Sequence, residues 1–375
     1  MGENSISRVD HGAAPITGGS SARFIVLDGV RGMAALMVLI LHSAFIFPSA
    51  SLAVDLFFML SGFVLAHGYG ARLDNGEQRK RFVIARLIRL WPLYLLGCLI
   101  AIPPAIGMAL FNWSFWNFEV LALSIVTAPF FILLPYDSFS IPLNPPGWSL
   151  CFELLANAVF LFTATRLKPT LFILALAGPL LLYGVYAYQG GPTGWYSLWG
   201  AFARGFFSFF TGVLIYRLWS NGLLPRIRVP ALLILAIVAA ICMYDPPKHR
   251  IYFAAVLFVV NPLLIWLGGC ATASGRTARL CALSGELSYP VYVLHVPIIM
   301  IVEGLRFLMT GGVASAYVPT GATWAITIPI SMALAWLLHF HWDVPFRRKL
   351  TDRFLKGRRP APAIPSPEPD LRTAA

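Results

Sequence analysis

Long apolar segments alternate with short polar loops along most of this 375-residue chain. Many reach about twenty residues, the length that an α-helix needs to cross the hydrocarbon core of a bilayer. Continuous apolar runs also argue against a membrane β-barrel, whose strands alternate over short segments. The pattern predicts an all-α integral membrane protein, a bundle of about ten transmembrane helices plus one interfacial or re-entrant segment. The predicted spans lie near 25–47, 52–70, 90–111, 149–166, 170–188, 198–217, 230–244, 251–268, 284–308 and 322–341.

A further apolar stretch, 119–135, does not fit a simple count of crossings. Lys and Arg concentrate in loop 71–90 and in short segments near 226–228, 276–279 and 347–349, which predicts a cytoplasmic position for these segments. The loops without Lys or Arg should face outward: 48–51, 136–147, 189–197 and 310–321. Counted from either terminus, both flanks of 113–135 then lie outside. We therefore expect this segment to enter the membrane and return, or to lie in the interface.

The two ends of the chain differ in composition from the middle. Residues 1–22 are polar and rich in Gly and Ser, and we expect a disordered cytoplasmic lead. Residues 351–375 are Pro-rich and should form a solvated cytoplasmic tail. The transmembrane domain is placed at 23–350. Its first span is longer than the apolar core of a signal peptide and carries Asp28, so it is kept as a true helix.

Composition supports a membrane protein and excludes several other classes. Hydrophobic residues make up 58% and charged residues 12%, against about a quarter charged in soluble domains. The net charge of +12 lies in short loops between spans, so we expect no nucleic-acid partner. Five scattered cysteines without a CxxC pair do not suggest disulfides or zinc, and no HxxH or HExxH spacing occurs. We expect no bound metal and no bound cofactor.

Ionisable side chains inside the first span are the strongest sign of a functional site, because they are costly in hydrocarbon. Arg31 and His42 are eleven residues apart, which places them on one helix face about 16 Å from each other. Asp28 lies one turn from Arg31 on the same stripe. A single core histidine is usually structural, but two costly residues on one stripe favour a function.

Two carboxylates are predicted to lie near the depth of His42. Asp55 lies near the outer start of the second span and Glu153 near the outer start of the 149–166 span, so either could orient the imidazole. Asp55 could instead cap its helix. Arg86 and Arg89 lie at the inner mouth of the third span, where simple positive-inside anchoring is the alternative.

Five ordered segments make the chain resemble the acyltransferase 3 family, bacterial membrane enzymes that acylate polysaccharides, nodulation factors and macrolides. The segments are LDGVRGMAA at 27–35 continuing to His42, VDLFFMLSGF at 54–63, RLIRLWPLY at 86–94, WSLCFE at 148–153 and GELSYPVYVLH at 285–295. The similarity extends over roughly 23–345.

The resemblance implies an O-acyltransferase of the bacterial inner membrane. It implies acyl-CoA, usually acetyl-CoA, as cytoplasmic co-substrate, and a carbohydrate or lipid-linked glycan as acceptor, with membrane lipid around the bundle. Arg31, Arg86 and Arg89 would bind the donor phosphates, and His42 would act as the base, oriented by Asp55 or Glu153. The residues expected to line or support the acceptor side are Trp148, Ser149, Tyr289 and His295.

Two other functions use the same residues. A proton-coupled transporter or flippase would use the intramembrane charges as a relay, although the chain shows no convincing internal repeat. The second alternative is that the chain is an inactive partner subunit. Direct transfer and a covalent acyl-histidine relay are both compatible with the sequence, which names neither the acceptor, the acyl chain length nor the oligomeric state.

Overall fold

A computed structural model describes residues 24–70, 73, 76–113, 116–136, 138–164, 166–187, 198–310 and 323–355. The predicted lead at 1–22 lies outside these residues, as does all of the predicted tail except 351–355. Within the described residues the chain is a helical bundle with one small β-hairpin.

The elements are the helices α1 (Ile25–Ala44), α2 (Ala53–Tyr69), α3 (Gly76–Leu110), α4 (Phe118–Thr127), α5 (Gly147–Thr163), α6 (Leu167–Ala187), α7 (Leu198–Ser220), α8 (Ala231–Met243), α9 (His249–Ala255), α10 (Asn261–Cys270), α11 (Gly275–Met309), α12 (Thr323–Leu338) and α13 (Val344–Phe354). A 3₁₀ turn, Pro48–Leu52, leads into α2. π-Helical segments join α9 to α10 (Val256–Val260) and α12 to α13 (His339–Asp343). The hairpin pairs β1 (Leu134–Tyr136) with β2 (Ser138–Ser140).

The predicted fold class, an all-α membrane protein, is confirmed. Within the described part of the chain, eight helices are long and apolar enough to cross a membrane: α1, α2 with its 3₁₀ turn, α3, α6, α7, α9–α10, α11 and α12–α13. Helices α5 and α8 are apolar but shorter, with 17 and 13 residues.

Helix α2 runs antiparallel to α1, since Phe63 and His67 towards its end contact Phe24, which precedes α1. We call the end of the bundle where α1 begins the near end, and the other the far end. At the near end, Arg81 at the start of α3 donates to the carbonyl of Leu355 after α13, 2.8 Å away. At the far end, Trp113 after α3 stacks on Phe307 of α11, with ring centroids 5.0 Å apart.

Helix α4 enters the bundle from the far end and does not cross it. Its ten residues span about 15 Å, half the hydrocarbon thickness. At its inner end Tyr94 of α3 donates to the carbonyl of Ala128 at 2.8 Å, and Trp91 donates to that of Pro129 at 2.9 Å. Tyr94 lies 16 residues, about 24 Å, from the far end of α3. The segment therefore reaches into the bundle without crossing it. The prediction that all of 136–147 faces outward is wrong, because Asn144 is buried and donates to the carbonyl of Val293 on α11 at 2.9 Å.

Three predicted spans are too short compared with the structure. Helix α3 begins at Gly76 and not near 90, α11 begins at Gly275 and not near 284, and α13 continues the last span to Phe354. The added turns are rich in Lys and Arg. Hydropathy detects only the part of a helix that can lie in hydrocarbon. It therefore predicts loops where these polar turns are helical.

Glycines allow two helix pairs in the centre to approach closely. A Cβ on Gly62 of α2 would overlap the carbonyl oxygen of Phe209 on α7, and one on Gly212 of α7 would overlap that of Met59 on α2. The crossing of α1 and α11 is equally close at Gly32, where a Cβ would overlap Ser284. Small residues of this kind let membrane helices pack through their backbones.

Replacing Gly62 with Ala should separate α2 from α7 and destabilise the protein by at least about 1–3 kcal/mol, the usual cost of overpacking. Thermal unfolding in lipid nanodiscs would measure the loss. Gly68→Ala on the same helix is the matched control, because a Cβ there meets no atom within 4 Å. Equal melting temperatures for the two variants would contradict the close crossing.

Candidate active site

A cavity lies between α1, α2, α3, α5 and α11. The space inside it, with the open space at its mouth included, is about 660 Å³. Six of the predicted site residues line it: Arg31, Arg86, Arg89, Ser149, Glu153 and Tyr289. Three polar residues to which the sequence gave no role line it as well: Ser61, Ser288 and Tyr292.

Three arginines from two helices converge on this cavity. Arg31 lies on α1, where Asp28 is 3.8 Å from its guanidinium, and Arg86 and Arg89 lie one turn apart on α3. Arg86 interacts electrostatically with Arg89, Arg31 and Glu153. Its Nε is buried and has no hydrogen-bond partner among the described residues. The cluster offers guanidinium donors that an anionic ligand could accept.

Glu153 accepts a hydrogen bond of 2.7 Å from Ser61 of α2. The prediction that Glu153 lies in the outer third near His42 is wrong. Helix α5 begins at Gly147, where an added Cβ would lie 3.0 Å from Tyr94, deep below the far end of α3. Glu153 lines the cavity together with Arg31, Arg86 and Arg89, and it interacts electrostatically with Arg86.

Hydroxyl groups join the cavity walls on the far side. Ser149 and Tyr292 are 2.6 Å apart through their oxygens, and Tyr292 also donates to the carbonyl of Pro146 at 3.2 Å. Tyr289 donates to the carbonyl of Leu90. Ser149 and Tyr289 therefore both line the cavity, and both hydroxyls already have protein partners.

His42 and His295 form a pair just beyond the cavity. Nε2 of the buried His295 is 3.1 Å from Nδ1 of the partly exposed His42. The ring of His295 lies 6.0 Å from that of Tyr292, which lines the cavity. The sequence analysis predicted both histidines as site residues but did not predict that they contact each other.

Backbone contacts assign the tautomers of this pair. Nδ1 of His42 is 3.0 Å from the carbonyl of Val38, and Nδ1 of His295 is 3.0 Å from that of Val291. A carbonyl only accepts, so each Nδ1 carries the proton. Nε2 of His295 then accepts from His42, and Nε2 of His42 keeps its lone pair, with no hydrogen-bond partner in the described part of the chain. This nitrogen is the one available to act as a base.

Asp55 does not orient His42, and that prediction is wrong. It is fully buried and accepts two hydrogen bonds from Arg204 of α7, from Nη2 at 2.7 Å and from Nε at 3.1 Å. Arg204 also donates to the carbonyl of Ser51 at 3.0 Å. The carboxylate is thus occupied by a buried ion pair that joins α2 to α7.

Trp148 belongs to this ion pair rather than to the cavity lining. The guanidinium carbon of Arg204 lies 5.8 Å from the Trp148 ring, within cation–π range. Arg204 was missed in the sequence, although a signal was present. It is an arginine inside an apolar span, and the rule that selected Arg31 applies to it equally.

Comparisons with known proteins show which family the chain resembles. An acyltransferase domain family matches residues 24–340. "Protein 2 in picA locus" of Rhizobium radiobacter is 38% identical over 183 residues, covering 43% of this chain and 93% of the relative. BcsY of Komagataeibacter xylinus, named as a candidate membrane-bound transacylase, is 25% identical over 324 residues, 77% of this chain and 76% of the relative. No solved structure gives a significant match.

Proposed function

Because the chain belongs to the acyltransferase 3 family and is a multi-pass membrane acyltransferase, we propose that it moves an acetyl group from cytoplasmic acetyl-CoA to a hydroxyl of a carbohydrate acceptor. The observation that carries the proposal is the cavity in which three arginines meet, with a histidine pair immediately beyond it. The name of the relative BcsY, a transacylase, supports transfer of an acyl group.

The distribution of charge supports a cytoplasmic near end in a bacterial inner membrane. Basic residues are concentrated there, which fits the positive-inside rule. Those outside the cavity include Arg79, Lys80, Arg81, Arg226, Arg228, Arg276, Arg279, Arg348 and Lys349. A donor made in the cytoplasm would then enter at the arginine side of the cavity, while His42 lies close to the far end of α1.

The donor phosphates would bind Arg31, Arg86 and Arg89, because guanidinium groups form charge-assisted hydrogen bonds to phosphate oxygens. Arg31 and His42 are eleven residues apart on α1, about 16 Å along its axis. The thin arm of the donor would cover this distance along α1 and bring the thioester towards the histidine pair.

His42 would accept the proton of the acceptor hydroxyl on Nε2 while the hydroxyl oxygen attacks the thioester carbonyl. The new ester bond forms as the carbon–sulfur bond breaks. The CoA thiolate leaves and accepts that proton from the His42 imidazolium, which restores the neutral imidazole. His295 accepts from Nδ1 of His42, so it would hold the tautomer and stabilise the imidazolium that forms.

Arg86→Ala should raise the KM for acetyl-CoA by about tenfold or more with a smaller change in kcat, because a charge-assisted hydrogen bond to the donor is lost. Steady-state kinetics in nanodiscs would measure both constants. Lys80→Ala is the matched control, since Lys80 is an exposed cation on the same helix. An unchanged KM would remove Arg86 from the donor site.

The proposal is tested by incubating the protein in nanodiscs with acetyl-labelled acetyl-CoA and a lipid-linked glycan extract. Alkali-labile label on the glycan is expected, because an O-ester is the product. Movement of a labelled solute across proteoliposomes, with no ester formed from a series of donors and acceptors, would favour a transporter and contradict the proposal.

A further inference from the structure

We propose that Arg347 forms a second phosphate site, which binds the phosphomonoester on the ribose of the CoA donor. This inference rests on the proposed function, since it assigns one part of the donor to a residue beyond the match to the family domain at 24–340. Arg31, Arg86 and Arg89 are left for the diphosphate next to the thioester arm.

Asp343 fixes the position of Arg347. It is fully buried at the end of the π-helical segment, and its Oδ2 is 2.7 Å from Nη2 of Arg347 and 3.2 Å from Nδ1 of His339. The π-helical segment places these three side chains together where the last span meets α13. Such segments often occur at functional sites.

Helix α13 brings Arg347 near two residues that line the cavity. The hydrogen bond from Arg81 to Leu355 docks the end of α13 on the start of α3, the helix that carries Arg86 and Arg89. Arg347 interacts electrostatically with Arg89 and with Tyr289, and both of these line the cavity. Arg347 itself is outside the lining, so it would meet the part of the donor furthest from the thioester.

Unpartnered donors give an independent sign of an anionic ligand. Nε of Arg347 is buried without a hydrogen-bond partner in the described residues, and so is Nε of Arg86. A buried donor without an acceptor is costly, and a phosphate with several acceptor oxygens removes that cost. Nε of Arg81, near the start of α3, is buried without a partner in the described residues as well. The near end thus has such donors on both α3 and α13, which suits a ligand with two separate phosphate groups. CoA has a diphosphate and a ribose phosphomonoester.

The test compares binding of CoA and of dephospho-CoA, which lacks the phosphomonoester, to protein in nanodiscs. The wild-type protein should bind CoA at least about ten times more tightly than dephospho-CoA. Arg347→Ala should weaken CoA binding and bring the ratio of the two dissociation constants close to one, and Arg347→Lys should keep part of the preference. Arg86→Ala should weaken both ligands and keep the ratio.

Lys349→Ala is the matched control, since Lys349 is an exposed cation on α13 and should behave as wild type. An unchanged ratio in Arg347→Ala would overturn the inference and leave the proposed function standing. Equal binding of CoA and dephospho-CoA by the wild-type protein would also overturn the inference. This comparison needs no variant, so the inference stays testable even if Arg347→Ala does not fold. Failure of wild type to bind either ligand would contradict the proposed donor as well.

Discussion

His42→Ala is expected to lower acetyl transfer at least about a hundredfold, because a positioned general base contributes about 10²–10⁴-fold. Its Nε2 is the nitrogen that keeps a lone pair when Nδ1 donates to Val38 and His295. The measurement is the rate of labelled ester formation, normalised to folded protein. KM for acetyl-CoA should change little, because His42 lies outside the arginine cluster.

His341→Ala is the control for His42, since it removes an exposed histidine on the last span. Transfer by His42→Ala at a rate near that of wild type would remove the base from the mechanism. His295→Ala should cause a smaller loss than His42→Ala, since His295 acts by orienting His42. A larger loss in His295→Ala than in His42→Ala would make His295 the base and His42 the orienting residue.

Asp55→Ala is expected to destabilise the protein by about 3–5 kcal/mol, the cost of leaving a buried charge without its partner. Arg204 is 4% exposed, and its guanidinium donates to both carboxylate oxygens of Asp55. Thermal unfolding in nanodiscs would show the loss as a large drop in melting temperature.

The double variant Asp55→Leu with Arg204→Met separates a structural role of Asp55 from a catalytic one. Removing both charges should restore most of the stability, since apolar replacement of a buried pair is often neutral. The folded double variant should also retain transfer, because Asp55 does not contact His42. A stable Asp55→Ala that is inactive would contradict this account and return Asp55 to the catalytic group.

The spacing of Arg31 and His42 on α1 and that of Arg86 and Arg89 on α3 could be predicted from the sequence, because each depends on periodicity within one helix. Arg31 and His42 share a face by arithmetic alone, and Arg86 and Arg89 are one turn apart. Local periodicity was sufficient for each of these pairs. The structure also places the three arginines together in one cavity, a grouping that the family resemblance implied and that periodicity alone does not give.

Contacts between helices could not be predicted in the same way, because depth was counted from presumed span ends. Helix α5 begins deep in the bundle, so Glu153 contacts Ser61 and not His42. The position of that start depends on the re-entrant segment before it, which periodicity does not reveal. The pairing of His42 with His295 depends on the register of α1 against α11, set by close packing at Gly32.

The most direct test of the central claim supplies labelled acetyl-CoA on one side of sealed proteoliposomes that contain the acceptor. Orientation is read from Lys349→Cys with an impermeant thiol reagent, since this position marks the near end. We predict labelled ester only when the donor is on the near-end side, with loss of the ester in His42→Ala. Equal transfer from the far-end side, or ester formation that does not depend on His42, would contradict the account.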